Sequence, residues 1–325
     1  MKSFYNNKVV LITGGTGSFG KACVKHLIKN FKLKKIIVLS RDELKQFEMQ
    51  QQIKDKRVRY FIGDIRDYSR LKFALKDVDY VFHAAALKQV PAAEYNPIEC
   101  INTNVYGTEN LIKAAIECKV KKVLMLSTDK AVNPINLYGA TKLCAEKLFI
   151  NANYLAGSQN TSFSIARYGN VINSRGSVIP FFKKLNNENA NFFPITDLNM
   201  TRFFINLEDA VKFVLDCATK MYRGEIFVPK MKSINIIDIA KSINPKKKIK
   251  QIGVRPGEKI HEYLISSNES KDVYDLGKFF VIRPSIELPK RKNSSLTKGK
   301  KVKEGFEYQS ANNEFLKLKK IRSIL

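Results

Sequence analysis

The sequence predicts an α/β protein with a doubly wound parallel sheet and a smaller C-terminal substrate-binding lobe. Through the first half of the chain, short apolar segments rich in β-branched residues alternate with segments of helix length. A glycine-rich turn follows the first apolar segment, and the alternation stops near residue 170. Strands that alternate with helices form parallel sheets whose two faces are both covered.

Six segments have the length and composition of buried strands. They are residues 8–13, 35–40, 58–64, 78–85, 121–128 and 163–168. Apolar residues at intervals of three and four predict long amphipathic helices over 98–119 and 137–156. After residue 170, the pattern predicts an irregular stretch, a helix, a strand followed by a helix, and a closing helix, over 173–195, 208–220, 233–243 and 312–325 respectively.

The domain boundaries follow from this change of pattern. We expect residues 1–172 to form a dinucleotide-binding domain, with 203–231 returning to it. Residues 173–202 and 232–325 should then form the substrate-binding lobe. The chain would therefore cross between the two units more than once.

Composition limits the class of protein. With 325 residues and 44% hydrophobic content, the chain can bury a sizeable core. No apolar run reaches the roughly 18 residues that span a bilayer, and the start enters a strand-like segment directly. These features predict a soluble, cytoplasmic protein without a membrane partner.

Cysteines and histidines give no sign of a metal or disulfide framework. Cys23, Cys100, Cys118, Cys144 and Cys217 lack C-x-x-C spacing and are predicted to be buried thiols. The three histidines, His26, His83 and His261, stand far apart, so we expect no metal site.

The net charge of +27 raises the possibility of a nucleic-acid partner. Only residues 244–250 and 289–303 are dense in basic side chains, and neither run contains the interleaved aromatics that stack on bases. We interpret the charge as solvated lysines spread over the surface and predict no nucleic-acid partner. The field would favour an anionic small-molecule substrate.

The glycine-rich turn predicts a cofactor site. Gly14, Gly17 and Gly20 lie between the first predicted strand and a helical segment. Glycines there permit a tight turn and let backbone N–H groups approach a pyrophosphate at the helix N-terminus. This context indicates a Rossmann-like dinucleotide site.

The end of the second predicted strand bears on the choice of dinucleotide. It reads Ser40-Arg41-Asp42, with Lys45 one turn later. A basic residue at this place accommodates the 2′-phosphate of NADP, whereas an acidic residue binds the ribose hydroxyl of NAD. Arg41 favours NADP, and Asp42 leaves NAD open.

Tyr138 and Lys142 are the candidate hydride-transfer pair. Their i, i+4 spacing places the phenol and the ammonium on one helix face. A nearby positive charge is expected to lower the tyrosine pKa from its reference near 10. The phenol could then exchange a proton with a substrate hydroxyl while a hydride passes to nicotinamide.

These motifs resemble the extended short-chain dehydrogenase/reductases, and within them the soluble inverting UDP-N-acetylglucosamine 4,6-dehydratases that begin pseudaminic acid synthesis. The resemblance runs from about residue 6 to about residue 284. It is carried by "TGGTGSFG", "HAAALKQVP", "STDKAVNPINLYGATK", "RYGNV", "TRFF" and "RPGEK". Its most specific element is Thr128-Asp129-Lys130, because commoner 4,6-dehydratases carry Asp-Glu there and epimerases carry neither pair.

The resemblance implies a mechanism. Tyr138 would accept the C4 hydroxyl proton as NADP takes the hydride, which makes the C5 proton acidic. Lys130, in its neutral form, would remove that proton, and Asp129, in its acid form, would protonate the departing C6 hydroxyl. Return of the hydride to C6 and protonation of C5 from the opposite face would complete the inversion.

The resemblance also implies binding residues. The cofactor would contact residues of the glycine turn, of the second, third and fourth strand ends, and of the pair already named: Gly14, Thr16, Gly17, Ser18, Phe19, Gly20, Ser40, Arg41, Asp42, Lys45, Asp64, Ile65, Ala84, Ala85, Ala86, Tyr138, Lys142 and Val171. The UDP-sugar would face Lys88, Thr128, Asn170, Arg202, Arg255 and Glu258. A homo-oligomer is expected.

Two alternative interpretations remain. A retaining 4,6-dehydratase or a UDP-sugar 4-epimerase would share the fold, cofactor and substrate class, and the product configuration at C5 separates them. A non-catalytic dinucleotide sensor or nucleic-acid-binding protein would be of another class. The combination of Asp129, Lys130, Tyr138 and Lys142 argues against it, because a binding module does not need all four.

Overall fold

A computed structural model describes residues 1–157, 159–172, 174, 176–288 and 299–325. The strands formed by these residues are β1 (Val9–Thr13), β2 (Lys35–Ser40), β3 (Val58–Ile62), β4 (Tyr80–His83), β5 (Lys122–Thr128), β6 (Ser162–Tyr168), β7 (Asn170–Val171), β8 (Phe192–Ile195), β9 (Thr201–Ile205), β10 (Ile226–Pro229), β11 (Lys232–Asn235), β12 (Lys248–Gln251), β13 (Tyr263–Ile265), β14 (Val273–Asp275), β15 (Phe279–Ile282), β16 (Lys300–Lys301) and β17 (Tyr308–Gln309).

Helices alternate with these strands. They are α1 (Lys2–Tyr5), α2 (Ser18–Asn30), α3 (Glu43–Gln52), α4 (Tyr68–Ala74), α5 (Val90–Tyr95), α6 (Pro97–Ile101), α7 (Gly107–Glu117), α8 (Leu137–Leu155), α9 (Val178–Asn187), α10 (Leu207–Lys220), α11 (Ile236–Ile243) and α12 (Leu318–Ile324). A π-helical turn (Asn102–Tyr106) joins α6 to α7, and 3₁₀ turns cover Asp129–Ala131 and Ser267–Asp272.

The main sheet confirms the predicted fold class. Its order is β16-β14-β15-β10-β6-β5-β4-β1-β2-β3. From β10 to β3 every pair is parallel, and the order β3-β2-β1-β4-β5-β6 is the Rossmann order. The strands β1 and β2 are almost fully buried, as apolar β-branched runs between two helical layers should be.

The carboxyl ends of the parallel strands define the functional edge of the sheet. The chain reverses its direction in the sheet order between β1 and β4, and ligands of open α/β sheets bind outside such a point. Gly14, Ala84 and Asp129 follow directly after β1, β4 and β5. The topology therefore brings the predicted cofactor and catalytic segments to one edge.

A second hydrophobic cluster supports the C-terminal part of this edge. The small sheet β11-β9-β7 and the pair β12-β8 lie beside it. Helices α9, α11 and α12 contribute to a cluster separate from the main core, whose fully buried members include Phe182, Phe193 and Ile239. Strand β7 pairs with β9 in parallel and so joins the end of β6 to this small sheet.

Several elements differ from the expectations. The stretch predicted to be irregular contains α9, because Val178, Ile179, Phe182 and Leu185 form an apolar stripe. The helix expected over 98–119 is divided by the π-helical turn, and the closing helix is confined to α12. Strands β14, β15 and β16 extend the main sheet in antiparallel fashion, although the sequence places them in the substrate lobe.

The cysteines also differ in part from the expectation. Cys23, Cys100 and Cys217 are buried, but Cys118 is partly exposed and Cys144 is exposed, and all five are free. Cys144 is on the solvent side of α8, whose opposite face carries the buried residues.

Three further observations concern membrane spans, metal sites and the basic runs. None of the helices that the described residues form is long and apolar enough to cross a bilayer. The same residues contain no group of three or more His, Cys, Asp or Glu side chains placed to hold a metal ion. Of the two basic runs, 244–250 is solvated or half-buried, and most of 289–303 lies outside the described residues.

Candidate active site

A cleft of about 1270 Å³ runs along the carboxyl edge of the main sheet and under the small sheet. Every residue predicted to bind cofactor or substrate lines it, and so do Thr128, Lys130, Tyr138 and Lys142. Asp129 is the exception among the predicted site residues. Its side chain is fully buried behind the cleft wall.

The glycine turn fits a dinucleotide pyrophosphate. Gly14 has a φ of +62°, and a Cβ there would lie 2.9 Å from the backbone of Ala85. A Cβ on Gly20 would lie 2.3 Å from the carbonyl oxygen of Gly15. Gly17 precedes α2, whose N-terminus therefore opens into the cleft. The backbone approach and the helix N-terminus are the features that a phosphate needs.

The end of β2 presents one cation and one engaged carboxylate. Asp42 caps α3 by accepting the backbone N–H of Lys45 at 2.9 Å, and it also pairs with the Lys45 ammonium. The Arg41 guanidinium is half-exposed and lies 3.7 Å from the carboxylate of Asp64. Both residues line the cleft, and the Asp42 carboxylate there is engaged in capping α3.

A 3₁₀ turn at the end of β5 places the predicted Asp-Lys pair. Thr128 caps this turn by accepting the backbone N–H of Lys130 at 3.3 Å, and its hydroxyl donates to Oδ1 of Asp129 at 2.9 Å. The Lys130 ammonium donates to the same Oδ1 at 3.0 Å. Because Thr128 lines the cleft, its hydroxyl connects the buried carboxyl to the cleft.

Lys130 lies between two carboxylates. Its Nζ is 3.2 Å from Oε1 of Glu262, which is 2% exposed. Burial alone would lower the pKa of Lys130, but Asp129 and Glu262 outweigh burial and raise that pKa well above its ordinary value. Lys130 is therefore an ammonium in this arrangement, with 23% of its side chain exposed to the cleft.

The tyrosine environment contradicts one expectation. Burial raises the pKa of Tyr138 to about 12, and Lys130 together with a hydrogen bond to Thr128 opposes this only in part. The expectation that Lys142 lowers this pKa is wrong here. The Lys142 ammonium donates to the carbonyl of Leu126 at 2.8 Å, and burial lowers its own pKa to about 8 against the opposing charge of Glu146.

The start of α8 is held against the Asp-Lys turn. Asn136 caps the helix by accepting the N–H of Gly139 at 2.7 Å, and its side-chain amide donates to the carbonyl of Gly257 at 2.8 Å. A Cβ on Gly139 would lie 2.2 Å from the carbonyl oxygen of Lys130. Gly139 is therefore required for the close packing that brings Tyr138 to Lys130.

Arg202 lies in the cleft wall and is also bound by the protein itself. It was expected to face the UDP-sugar, and it does line the cleft. Its guanidinium, however, donates to the carbonyls of Thr201, Ile260 and Lys259 at 2.8–2.9 Å. It also lies 3.6 Å from Glu258 and 3.9 Å from Glu262. These contacts favour a structural role for Arg202 at the charged wall of the cleft.

Glu262 and Gly139 are site residues that the sequence reasoning missed. Glu262 comes four residues after Glu258, beyond the end of the quoted "RPGEK" segment. Its carboxylate lies close in the sequence to a predicted binding motif, and this proximity is the pattern from which Glu262 could have been predicted. Gly139 lies inside the quoted "LYGATK", and a glycine in the first turn of a predicted helix was the available signal.

Known proteins resemble this chain over nearly its full length. Residues 10–284 match the family model described as polysaccharide biosynthesis protein. A UDP-N-acetylglucosamine 4,6-dehydratase (inverting) of Campylobacter jejuni is 55% identical over 314 residues, which are 95% of this chain and 94% of that protein. A UDP-glucose 4-epimerase of Rickettsia bellii is 43% identical over 326 residues, which are 98% of this chain and 95% of that protein.

A solved structure agrees with the fold. The X-ray structure of Pen from Bacillus thuringiensis is similar with a TM-score of 0.89 and 40% identity. The similarity covers 98% of this chain and 97% of that one.

Proposed function

The chain belongs to the polysaccharide biosynthesis protein family, and on that premise we propose that it is an inverting UDP-N-acetylglucosamine 4,6-dehydratase. The observation that carries the proposal is the Asp129–Lys130 pair in contact beside Tyr138, with Lys130 reaching the cleft. C4 oxidation alone needs only the tyrosine and its lysine. An additional acid and base are what water elimination requires.

Tyr138 and Lys142 serve the redox half of the reaction. NADP, when bound in the cleft, supplies the hydride acceptor for C4 and later the hydride donor for C6. Tyr138 takes the proton of the C4 hydroxyl. Burial raises the pKa of Tyr138 to about 12, and the Lys130 ammonium opposes this in part, so Lys130 helps the phenolate to form without being required for it.

Asp129 and Lys130 serve the elimination half. An ammonium and a carboxylate that share a hydrogen bond become a neutral amine and a carboxylic acid when one proton crosses between them. The 3.0 Å contact between Lys130 and Asp129 permits this transfer without solvent. One internal transfer therefore produces both the base and the acid.

The protons then follow a balanced course. Lys130 removes the C5 proton, which the C4 ketone has made acidic, and becomes an ammonium again. Asp129 delivers its proton through the Thr128 hydroxyl to the C6 oxygen, which leaves as water. When the hydride has returned to C6, C5 takes a solvent-exchanged proton on the face opposite to the original hydrogen, which inverts that centre. Release of the proton that Tyr138 took from the C4 hydroxyl balances this step.

The substrate diphosphate needs cations at the open end of the cleft. Lys88 and Arg255 are exposed and line it. Charge-assisted contacts from such side chains are the stronger kind of hydrogen bond to phosphate oxygens. Lys88 and Arg255 are therefore proposed to bind the diphosphate, and Asn170 and Glu258 to contact the sugar.

The choice of NADP over NAD rests on the end of β2. Arg41 faces the cleft with a half-exposed guanidinium, whereas the Asp42 carboxylate caps α3. A guanidinium pairs well with a 2′-phosphate. We therefore expect NADP(H) to accompany the purified protein.

We also propose several finer properties of the protein. They are a place in pseudaminic acid synthesis, membership of the hydro-lyases, a cytoplasmic location, a homo-oligomer, no nucleic-acid partner, and the division into a dinucleotide domain and a substrate lobe, with β14, β15 and β16 assigned to the former. Each rests on the sequence and on resemblance.

A single incubation tests the proposed function. Purified protein is mixed with UDP-N-acetylglucosamine without added cofactor, and the products are analysed by mass spectrometry and NMR. We expect a product lighter by one water and inverted at C5. A 4-epimer of unchanged mass would favour the epimerase activity named for the Rickettsia bellii relative, and retention at C5 would indicate a retaining dehydratase.

A further inference from the structure

Glu262 is a buried carboxylate in the cleft wall to which the proposed mechanism gives no part. It lies just before β13, and its Oε1 is 3.2 Å from the Lys130 ammonium. The side chain is 3% exposed, yet it lines the cleft. Burial of a carboxylate is costly unless charges or hydrogen bonds compensate it, so its position beside Lys130 calls for a reason.

Two carboxylate oxygens around Lys130 lack partners. Among the described residues, Oε2 of Glu262 and Oδ2 of Asp129 are buried without any hydrogen-bond partner. Lys130 contacts the other oxygen of each group. A buried unpaired carboxylate oxygen is rare in a purely structural salt bridge, whose remaining lone pairs are normally satisfied.

The backbone of Glu262 is fixed by a distant segment. Its N–H donates to the Ser310 hydroxyl at 2.9 Å, and its carbonyl accepts the N–H of Ser310 at 2.8 Å. The Ser310 hydroxyl also lies 2.7 Å from that of Thr201. The carboxylate is thus held at a defined place opposite Lys130.

We propose that Glu262 is a positioning residue for Lys130: it orients the amine toward the cleft and stabilises the ammonium that forms when the C5 proton arrives. The inference rests on the proposed function, because it assigns a role within the same reaction. It concerns the elimination step and leaves C4 oxidation to Tyr138 and Lys142.

The geometry explains the orientation. A neutral amine has two N–H bonds and one lone pair. Just after the transfer to Asp129 the lone pair faces Asp129, and rotation of the amine with one N–H kept on Glu262 turns the lone pair toward the cleft, the side from which Lys130 is exposed. Loss of Glu262 would remove the acceptor that guides this rotation.

The charges explain the base strength. When Asp129 holds the acid proton, Glu262 is the carboxylate that still contacts Lys130. The other charged or titratable groups around this cluster are Arg202, Lys259, Glu258, His261 and Tyr138. Glu262 raises the pKa of Lys130, whereas Arg202 lowers it. Without Glu262, Lys130 would be a weaker base.

Glu262→Gln is the test, because it removes the charge and keeps the shape. C4 oxidation is followed as cofactor reduction on mixing with UDP-N-acetylglucosamine, and elimination as product formation and as solvent deuterium at C5. We expect elimination to slow about tenfold or more while C4 oxidation is retained. In a plot of elimination rate against pH, the rise in rate should move to lower pH in Glu262→Gln, because Lys130 then loses its proton more readily.

Two variants complete the design. Glu262→Asp keeps the charge, but its side chain is one methylene shorter and holds the carboxylate farther from Lys130. Its elimination rate should therefore lie between those of wild type and Glu262→Gln. If Glu262→Gln does not fold, Glu262→Asp is the variant that tests the proposal. Glu314→Gln neutralises an exposed carboxylate paired with Lys232 and should change neither step.

The outcomes separate the two proposals. If wild type dehydrates and the Glu262 variants eliminate at its rate with its pH profile, the inference is wrong and the proposed function stands. If the variants slow oxidation and elimination equally, Glu262 is merely structural, and the inference is again wrong. If wild type forms no dehydrated product, both are wrong.

Discussion

The two ends of the cleft use opposite means to bind and react. The cofactor end is built from backbone: three glycines, the Ala84–Ala86 segment and, beneath it, the buried His83. The substrate end is built from charged side chains: Lys130 contacts both Asp129 and Glu262, and Arg202 lies 3.9 Å from Glu262.

This difference explains why a local sequence motif identifies the cofactor end of the cleft but not the charge cluster at the substrate end. Backbone groups bind phosphate by their own N–H donors, so their site depends on chain conformation, and a few glycines close together suffice. Buried charges need partners of opposite sign at about 3 Å. Those partners come from the 3₁₀ turn after β5, from β9 and from the segment before β13, which are far apart in the sequence.

The largest effect is expected at the charged end. Lys130→Ala should slow water loss by about 100-fold or more, while Tyr138 and Lys142 still permit C4 oxidation. The variant should therefore accumulate a 4-keto sugar and reduced cofactor, which absorbance and mass spectrometry detect. In wild type, turnover in D2O should place one solvent deuteron at C5.

Controls separate chemistry from folding in this experiment. Lys113→Ala removes an exposed lysine paired with Glu109 on α7 and should leave activity unchanged. In the Lys130→Ala variant, Asp129 and Glu262 have lost their cationic partner. The melting temperature of the variant checks that it still folds. If Lys130→Ala dehydrates the substrate at near wild-type rate, or if wild type places no deuterium at C5, the roles assigned to Asp129 and Lys130 are wrong. The proposed function is then wrong as well.

The next effect is expected at the backbone end. Gly20→Ala places a Cβ 2.3 Å from the Gly15 carbonyl oxygen, so the turn must shift. Such overpacking costs about 1–3 kcal/mol, and dinucleotide retention through desalting should fall about tenfold or more. Retention is measured by chromatography of the nucleotide released on denaturation.

A glycine elsewhere supplies the matched control for that prediction. Gly277 has a φ of +83° and nothing within 4 Å of an added Cβ. Gly277→Ala should lower stability through backbone strain alone and leave the bound dinucleotide unchanged. Equal retention by Gly20→Ala and wild type would mean that the turn does not hold the pyrophosphate.

A third, intermediate effect concerns charge at the backbone end. Burial lowers the pKa of His83 to about 3, with Lys142 contributing in the same direction. Between pH 6.5 and 3 the unfolded chain thus binds a proton that the folded protein does not. Stability should fall as the pH decreases through this window, by about 2 kcal/mol between pH 6.5 and 5 from this residue.

His83→Gln measures that contribution directly. The variant loses the contacts of Nδ1 with Thr13 and of Nε2 with Thr108, so its stability at pH 7 falls too. Its denaturation midpoint should nevertheless depend less on pH between 6.5 and 5 than that of wild type. His26→Gln, at a half-buried position on α2, should keep most of the wild-type slope, and an equal slope in His83→Gln would contradict the prediction.

The smallest effect is expected from Arg41. Arg41→Asp replaces a phosphate partner by a hydroxyl acceptor and should shift the preference from NADP toward NAD by about tenfold. The ratio of dissociation constants for the two dinucleotides measures it. Arg59→Asp, on the exposed part of β3, is the control, and an unchanged ratio in Arg41→Asp would show that Arg41 does not read the 2′ position.

Local signals in the sequence determined the framework of this protein. The six predicted strands, the helix bearing Tyr138 and Lys142, and the glycine turn are all found at the predicted places within a few residues. Each depends on periodicity or on residues less than one helix length apart. Such patterns are fixed by backbone geometry and by the burial of one face, which neighbouring residues specify.

Only the tertiary structure decided how the site residues are tuned. It placed Glu262 beside Lys130, turned Arg202 toward backbone carbonyls and raised the pKa of Tyr138 where the helix spacing predicted a decrease. Strands β14 and β15 likewise joined the main sheet through pairing that no local pattern announces. Electrostatic energies and burial depend on distances between segments that are remote in the chain, and the fold alone sets those distances.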